Sequence, residues 1–187
     1  MNVFCEATLY DEGVQRTSFR GMNCSIAQCL EVVGDWWSLL IVRDAFRGIT
    51  RFADLEADLG ISRNVLNQRL AYLVEQGVVA RIPYSEHPPR YDYQLTEKGR
   101  DLFAVTTAMR QWGDRWAAPN GPPIEAVHDG CGEVTQAVLT CSVCGERLTP
   151  DSVQPVVGPG ARPKRRRGRS VARAPGSARR RPDEVRR

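Results

Sequence analysis

Between Asn23 and Ala118 the apolar positions change period twice, from about 3.6 residues to two and back, dividing the chain into helices, a hairpin and a further helix. Asn23 can cap a first helix in which Ile26, Leu30 and Val33 share one stripe, ending near Gly34. Asp35 can cap a second, whose Trp36, Leu39, Leu40, Val42 and Phe46 are so apolar that a central, mostly buried helix is expected, closed by Gly48. A shorter third helix carries Phe52, Leu55 and Leu59 and stops at Gly60. Ser62 then caps a fourth, with Leu66, Leu70 and Leu73 on one stripe and Gly77 at its end.

After Gly77, Val78 to Tyr84 is rich in β-branched residues and Tyr91 to Leu95 alternates as a strand does. The two prolines of the intervening SEHPPR exclude helix and mark a hairpin tip. Thr96 restarts a helix, in which Leu102, Val105, Met109, Trp112 and Trp116 recur at steps of three and four. Such a narrow seam is the kind two helices share, so these residues are expected in the core or at a dimer interface. The predicted fold is mainly α with a two-stranded wing: a winged helix-turn-helix over residues 18–118.

The flanks differ. Residues 1–17 lack periodicity and are expected to form a poorly ordered arm. The breaker NGPP at 120–123 separates the last helix from a short cysteine-bearing module at 124–157, and no internal repeat is evident. From Gly158 to Arg187 the chain runs to Gly, Pro, Ala, Ser and Arg, so a disordered tail is expected. Composition is that of a globular protein, with 42% hydrophobic and 26% charged residues. No apolar run reaches the roughly eighteen residues a membrane span needs. Glu6, Asp11 and Glu12 stand near the start without a basic residue, which does not fit a signal peptide, so a cytoplasmic protein with no membrane partner is expected. The net charge of +4 is uneven, because the tail holds twelve Lys or Arg against Asp183 and Glu184. The other 157 residues are net −6, an acidic body carrying a basic tail.

A short helix leading through a tight glycine turn into a Ser-capped one, followed by a hairpin, suits DNA because the major groove admits one helix. In the fourth helix the leucines face inward while Asn64, Asn67, Gln68 and Ala71 face away. Asn and Gln amides pair bidentately with adenine, and Arg63 is placed to reach guanine or phosphate. A solvated face would use the same residues, and winged helices also dock proteins. Ile61 to Leu95 holds only four basic residues against three acidic ones, a weak electrostatic footprint. Nothing points to an enzyme: the two histidines sit in no nucleophilic arrangement and no glycine-rich phosphate loop follows a strand.

The run RFADLEADLGISRNVLNQRLAYLVEQGVV, then PYSEHPPRYDYQLTEKG, closely resembles the HxlR family of MarR-like winged-helix transcription regulators. So do the upstream CSIAQCLEVVGDWWSLLIVRDAFRG and the downstream MRQWGDRW. The resemblance spans Ser18 to Trp116, about half the chain. It implies a homodimer on a palindromic double-stranded DNA operator, acting as a repressor relieved by a small-molecule inducer or by thiol oxidation. It carries Ser62, Arg63, Asn64, Asn67, Gln68 and Arg69 over as recognition-helix contacts, with Arg90 and His87 from the wing. It also marks Cys24, at the start of the first helix, as a candidate sensor of oxidants; the alternative is a small packed residue. Cys29 is about 140 degrees further around that helix, so no easy disulfide joins the two.

The remaining cysteines are read from spacing. Cys141-Ser-Val-Cys144-Gly and His128-Asp-Gly-Cys131-Gly are pairs at the same interval, nine residues apart. Together they supply the three thiolates and one imidazole of a closed tetrahedral Zn2+ site on a small zinc-ribbon-like hairpin module. The alternative is reduced cysteine packed on the body. A regulator is the expected function. The alternative is a zinc-bearing adaptor that docks proteins and uses its tail as a nonspecific nucleic-acid tether.

Overall fold

The computed structural model describes residues 18–161; the expected N-terminal arm with Cys5, and the tail beyond Ala161, lie outside the described residues. The elements are α1 (Ser25–Val33), α2 (Trp36–Phe46), α3 (Phe52–Leu59), α4 (Arg63–Glu75), β1 (Val79–Glu86), β2 (Pro89–Leu95), α5 (Glu97–Arg100), α6 (Phe103–Trp116), β3 (Ala126–Val127) and β4 (Val134–Thr135). One unit ends at Pro155, close to the expected end of the cysteine-bearing module, and a second begins at Val156. No single described helix is long and apolar enough to cross a membrane.

The local chemistry of the helix ends explains most boundaries. The Asp35 carboxylate accepts the backbone N–H of Trp37 at 2.9 Å and of Ser38 at 3.1 Å, starting α2. Ser62 accepts the N–H of Val65 to start α4, and Thr96 that of Gly99 to start α5. Gly60 ends α3 in the left-handed region at φ 62°, which any side chain would strain. At α1 the expectation needs correcting, because Cys24 rather than Asn23 takes the N-cap position. The expected single helix from Thr96 also divides, into α5 and α6, through a turn at Asp101–Leu102.

Val33, Ile41, Val42, Leu55, Leu66, Leu70, Leu73 and Val78 form the centre of one core, with Trp37, Leu39 and Phe52 packed around it. Each fully buried Leu or Ile contributes about 1.5–3 kcal/mol relative to exposure. Two predicted stripes turn out otherwise. In α1 the core takes Ala27 and Val33, while Ile26 and Leu30 are exposed. In α2, Trp36 is 80% exposed and Phe46 lies at the surface, where its ring meets Phe103 edge-on. The buried residues of α2 centre on the side of the helix opposite Trp36, which therefore cannot share that face. That face instead includes two polar residues, Ser38 and Asp44.

Asp44 binds α2 to its neighbours electrostatically. Its Oδ1 receives Arg43 at 2.7 Å and Arg47 at 3.2 Å, and both arginines reach Asp58 of α3, at 3.1 and 3.4 Å. Its Oδ2 is buried without a hydrogen-bond partner. Burial pushes the Asp44 carboxyl above its ordinary value, the Arg43 side chain pulling the other way.

The hairpin pairs Val79 with Leu95 through Pro83 with Tyr91, and a bulge at Tyr84 shifts the register before Ser85 meets Arg90. A third segment, unforeseen in the sequence, borders it: Arg51 bridges Asp92, and the Thr50 carbonyl accepts the Tyr93 N–H at 2.8 Å. The strands run further into the tip than predicted, leaving His87–Pro88 as the turn.

Two expectations follow. An added Cβ at buried Gly99 would collide with the Val78 carbonyl oxygen, so Gly99→Ala should lower unfolding free energy by about 1–3 kcal/mol in urea titration. Because the folded pKa of Asp44 is raised, the unfolded chain releases this proton at lower pH. Its contribution is therefore fullest below the ordinary carboxylate range and declines as pH rises through the raised folded value. The stability advantage of wild type over Asp44→Asn should accordingly shrink with rising pH across that window, and a constant or growing advantage would contradict the assignment.

Candidate nucleic-acid interface

The setting of α4 determines what the interface presents. Leu66, Leu70 and Leu73 are each at most 1% exposed, so the opposite side of the helix has to face outward. Tyr72 donates its hydroxyl to the Glu31 carbonyl of α1 at 2.8 Å, which opposes rotation of α4 about its axis. Asn64, Asn67, Gln68 and Ala71 stand exposed, and the three amides make no side-chain hydrogen bond within the described residues. This row therefore holds unused donors and acceptors on a rigid helix, the form of a base-reading surface.

The arginines and Ser62 separate into different situations. Arg63 is 79% exposed, 3.7 Å from the Glu56 carboxylate and above the Phe52 ring. Ser62 spends its hydroxyl oxygen on the cap of α4. Arg69 turns away from the amide row and lies 3.5 Å from Asp35, the cap of α2, with its Nε buried. That distance is an ion pair without a good hydrogen bond. Arg69 thus joins the start of α2 to the middle of α4. The family resemblance carries it over among the recognition-helix contacts.

On the wing, His87 lies at the tip and Arg90 at the start of β2, both exposed. The structure adds two cations that sequence reasoning passed over. Arg81 stacks its guanidinium over Tyr91 at 3.5 Å, and Arg51, 59% exposed, lies over Tyr84 at 4.8 Å and 3.6 Å from Asp92. The alternation of β1 with β2 could have placed Arg81 beside Tyr91; Arg51 precedes α3 and meets the wing only through tertiary folding.

The seam of α6 is uncovered. Leu102 is half-buried against the core, but no residue of α6 is buried, and Trp112 and Trp116 are each 65% exposed. A cleft of about 540 Å³ opens between these tryptophans, Arg110, Arg115 and Arg147.

Cys24 is exposed at the N-cap of α1, and Cys29 is half-buried; both are free thiols. His128 and Cys131 occupy the turn of β3–β4, with Nδ1 and Sγ 3.4 Å apart. Cys141 and Cys144 occupy a second turn closed by a bridge between Thr140 and Arg147. The backbone N–H of Cys144, then that of Val143, and the Cys144 side chain hold the Cys141 thiol below its ordinary value. Among the described residues, no three His, Cys, Asp or Glu side chains are gathered around one metal position.

Comparison with known proteins agrees with this geometry. Residues 32–121 match the model of the HxlR-like helix-turn-helix family. An uncharacterized HTH-type transcriptional regulator of Mycobacterium bovis is 48% identical over 152 residues, 81% of this chain and 96% of the relative. An uncharacterized HTH-type transcriptional regulator of Synechocystis is 36% identical over 97 residues, 51% of this chain and 72% of the relative. The crystal structure of a transcription-factor candidate, PA1607, superposes with a TM-score of 0.67 at 38% identity, covering 75% of this chain and 99% of that one. The core, the exposed amide helix, the wing and these relatives together place this chain in the HxlR-like helix-turn-helix family of transcriptional regulators.

Proposed function

We propose that the protein is a homodimeric, sequence-specific DNA-binding repressor that occludes a promoter by occupying a palindromic operator. The observation that carries this reading is the amide row of α4: Asn64, Asn67 and Gln68, exposed and without side-chain partners among the described residues, on a helix locked by its buried leucines. Each amide that pairs bidentately with adenine discriminates by about 1–3 kcal/mol. Arg63, Arg90 and His87, with Arg51 and Arg81, hold the phosphate backbone and set register rather than sequence. Ser62 positions the first turn of α4, and Arg69 acts through Asp35.

The uncovered seam of Val105, Met109, Trp112 and Trp116 supports the dimer, since apolar surface of this extent is disfavoured on a monomer. Two-fold symmetry then requires a palindrome, with half-sites spaced by the distance between the two α4 helices. The cleft beside α6 supports relief by a small-molecule inducer, since a ligand there would alter the seam and so the half-site spacing. Exposed Cys24 at the start of α1 supports a second route, thiol oxidation.

Selection from random double-stranded DNA at moderate salt tests the reading. Wild type should recover a palindromic consensus, and Asn64→Ala or Gln68→Ala should lower affinity for it about tenfold or more while leaving nonspecific binding unchanged. Recovery of unrelated sequences, with binding that depends only on the basic tail, would instead favour the protein-docking adaptor. For the dimer, sedimentation should show wild type at twice the chain mass and Trp112→Glu at the chain mass with its helical content intact; a monomeric wild type would refute the assembly.

A further inference from the structure

The two cysteine-bearing turns are the same turn made twice. His128-x-x-Cys131-Gly132-Glu133 and Cys141-x-x-Cys144-Gly145-Glu146 are offset by thirteen residues, a repeat that apolar periodicity does not reveal. In the first, the His128 N–H donates to the Glu133 carbonyl at 3.0 Å and the Gly132 N–H to the His128 carbonyl at 2.8 Å. In the second, the Cys141 N–H donates to the Glu146 carbonyl at 2.8 Å and the Gly145 N–H to the Cys141 carbonyl at 2.9 Å. Gly132 and Gly145 take φ of 74° and 76°, where a side chain would be strained. The strand contacts repeat at the same offset, Val127 with Val134 and Thr140 with Arg147.

Each turn has the donors of half a metal site. Bonds of about 2.3 Å to sulfur and 2.0–2.1 Å to nitrogen, meeting at a tetrahedral angle, put the two donor atoms about 3.6 Å apart. The Nδ1 of His128 and the Sγ of Cys131 stand 3.4 Å apart. Gly130 leaves the room for this, because a Cβ there would press on the His128 ring at 2.8 Å. In the second turn the Val143 N–H points at the Cys141 sulfur at 3.5 Å, the kind of outer hydrogen bond that orients a thiolate ligand.

This segment also lacks a buried apolar core. No described residue after Gly99 is buried, and Ile124, Val127, Val134, Val138, Leu139 and Val143 are all more than half exposed. Two hairpins of two and one paired positions cannot hold themselves together without a core, and a structural metal is the usual substitute.

We propose that His128, Cys131, Cys141 and Cys144 bind one structural Zn2+ per chain, drawing the two turns together across the irregular link at residues 136–139. Three thiolates and one imidazole fill a tetrahedral shell, so the site holds metal without an open position for catalysis. Binding releases the three thiol protons to solvent. The two pairs stand apart in this structure, on a segment that α6 already holds, Gln111 donating to the Ala137 carbonyl and Arg110 to that of Ile124, both at 3.1 Å.

Full-length protein purified without chelator is assayed for metal by elemental mass spectrometry. One zinc per chain is expected, nearly lost in Cys131→Ser and in Cys144→Ser and kept in Cys24→Ser, all three retaining the far-ultraviolet helical signal. Metal-free chain titrated with Co2+ should develop tetrahedral thiolate bands that saturate at one equivalent, and neither zinc-deficient variant should do so. Reduced wild type that gives no Co2+ bands, one metal per two chains, or full zinc in either ligand variant overturns the proposal.

Discussion

The rotational setting of α4 is the constraint on which the rest depends. Its leucine stripe is almost wholly removed from water, and turning the helix by one residue would carry those side chains out of the core at about 1.5–3 kcal/mol each. That cost fixes where the amides point. Tyr72 to α1 and Arg69 to the cap of α2 hold the same angle from two sides. Asp35 consequently has two tasks, starting α2 and receiving Arg69, so the central helix and the recognition helix are set relative to each other by one carboxylate.

Around this rigid centre the chain leaves much apolar surface uncovered. Ile26 and Leu30 on α1, Trp36 on α2, and Met109, Trp112 and Trp116 on α6 all lie outside the core. The core is built from the leucines of α4 and aliphatic residues of α2 and α3, and these three tryptophans stay outside it. In the proposed dimer, assembly rather than folding would bury the part of this surplus that lies on α6. The cysteine-bearing segment has the opposite shortage, two well-formed turns and almost nothing apolar buried beneath them, a shortage that the proposed zinc site would make good.

Charge divides along similar lines. The reading helix lies in the net-negative body, where Glu56 and Asp92 temper Arg63 and Arg51. On the proposed reading, hydrogen bonding from amides, rather than bulk attraction, is what the interface would offer a particular sequence. The twelve basic residues after Gly158 would add affinity for any DNA without selecting among sequences.

Order, type and most ends of the elements were legible in the sequence because they rest on local chemistry: caps at Asp35, Ser62 and Thr96, breaks at Gly48, Gly60 and Gly77, and a change of period at the wing. The outward face of α4 was legible too, since one helix with three leucines has only one other side. What the sequence could not decide was which of two apolar stripes on α1 and α2 enters the core. Ile26 and Ala27 differ by one residue, and periodicity does not distinguish the stripe that is buried from the one left exposed. Nor could it separate Arg69 from Arg63, bring Arg51 to the wing, or bury Asp44 among two arginines and a second aspartate. Those placements depend on residues distant in the chain competing for the same space and charge, and only the tertiary structure resolves that competition.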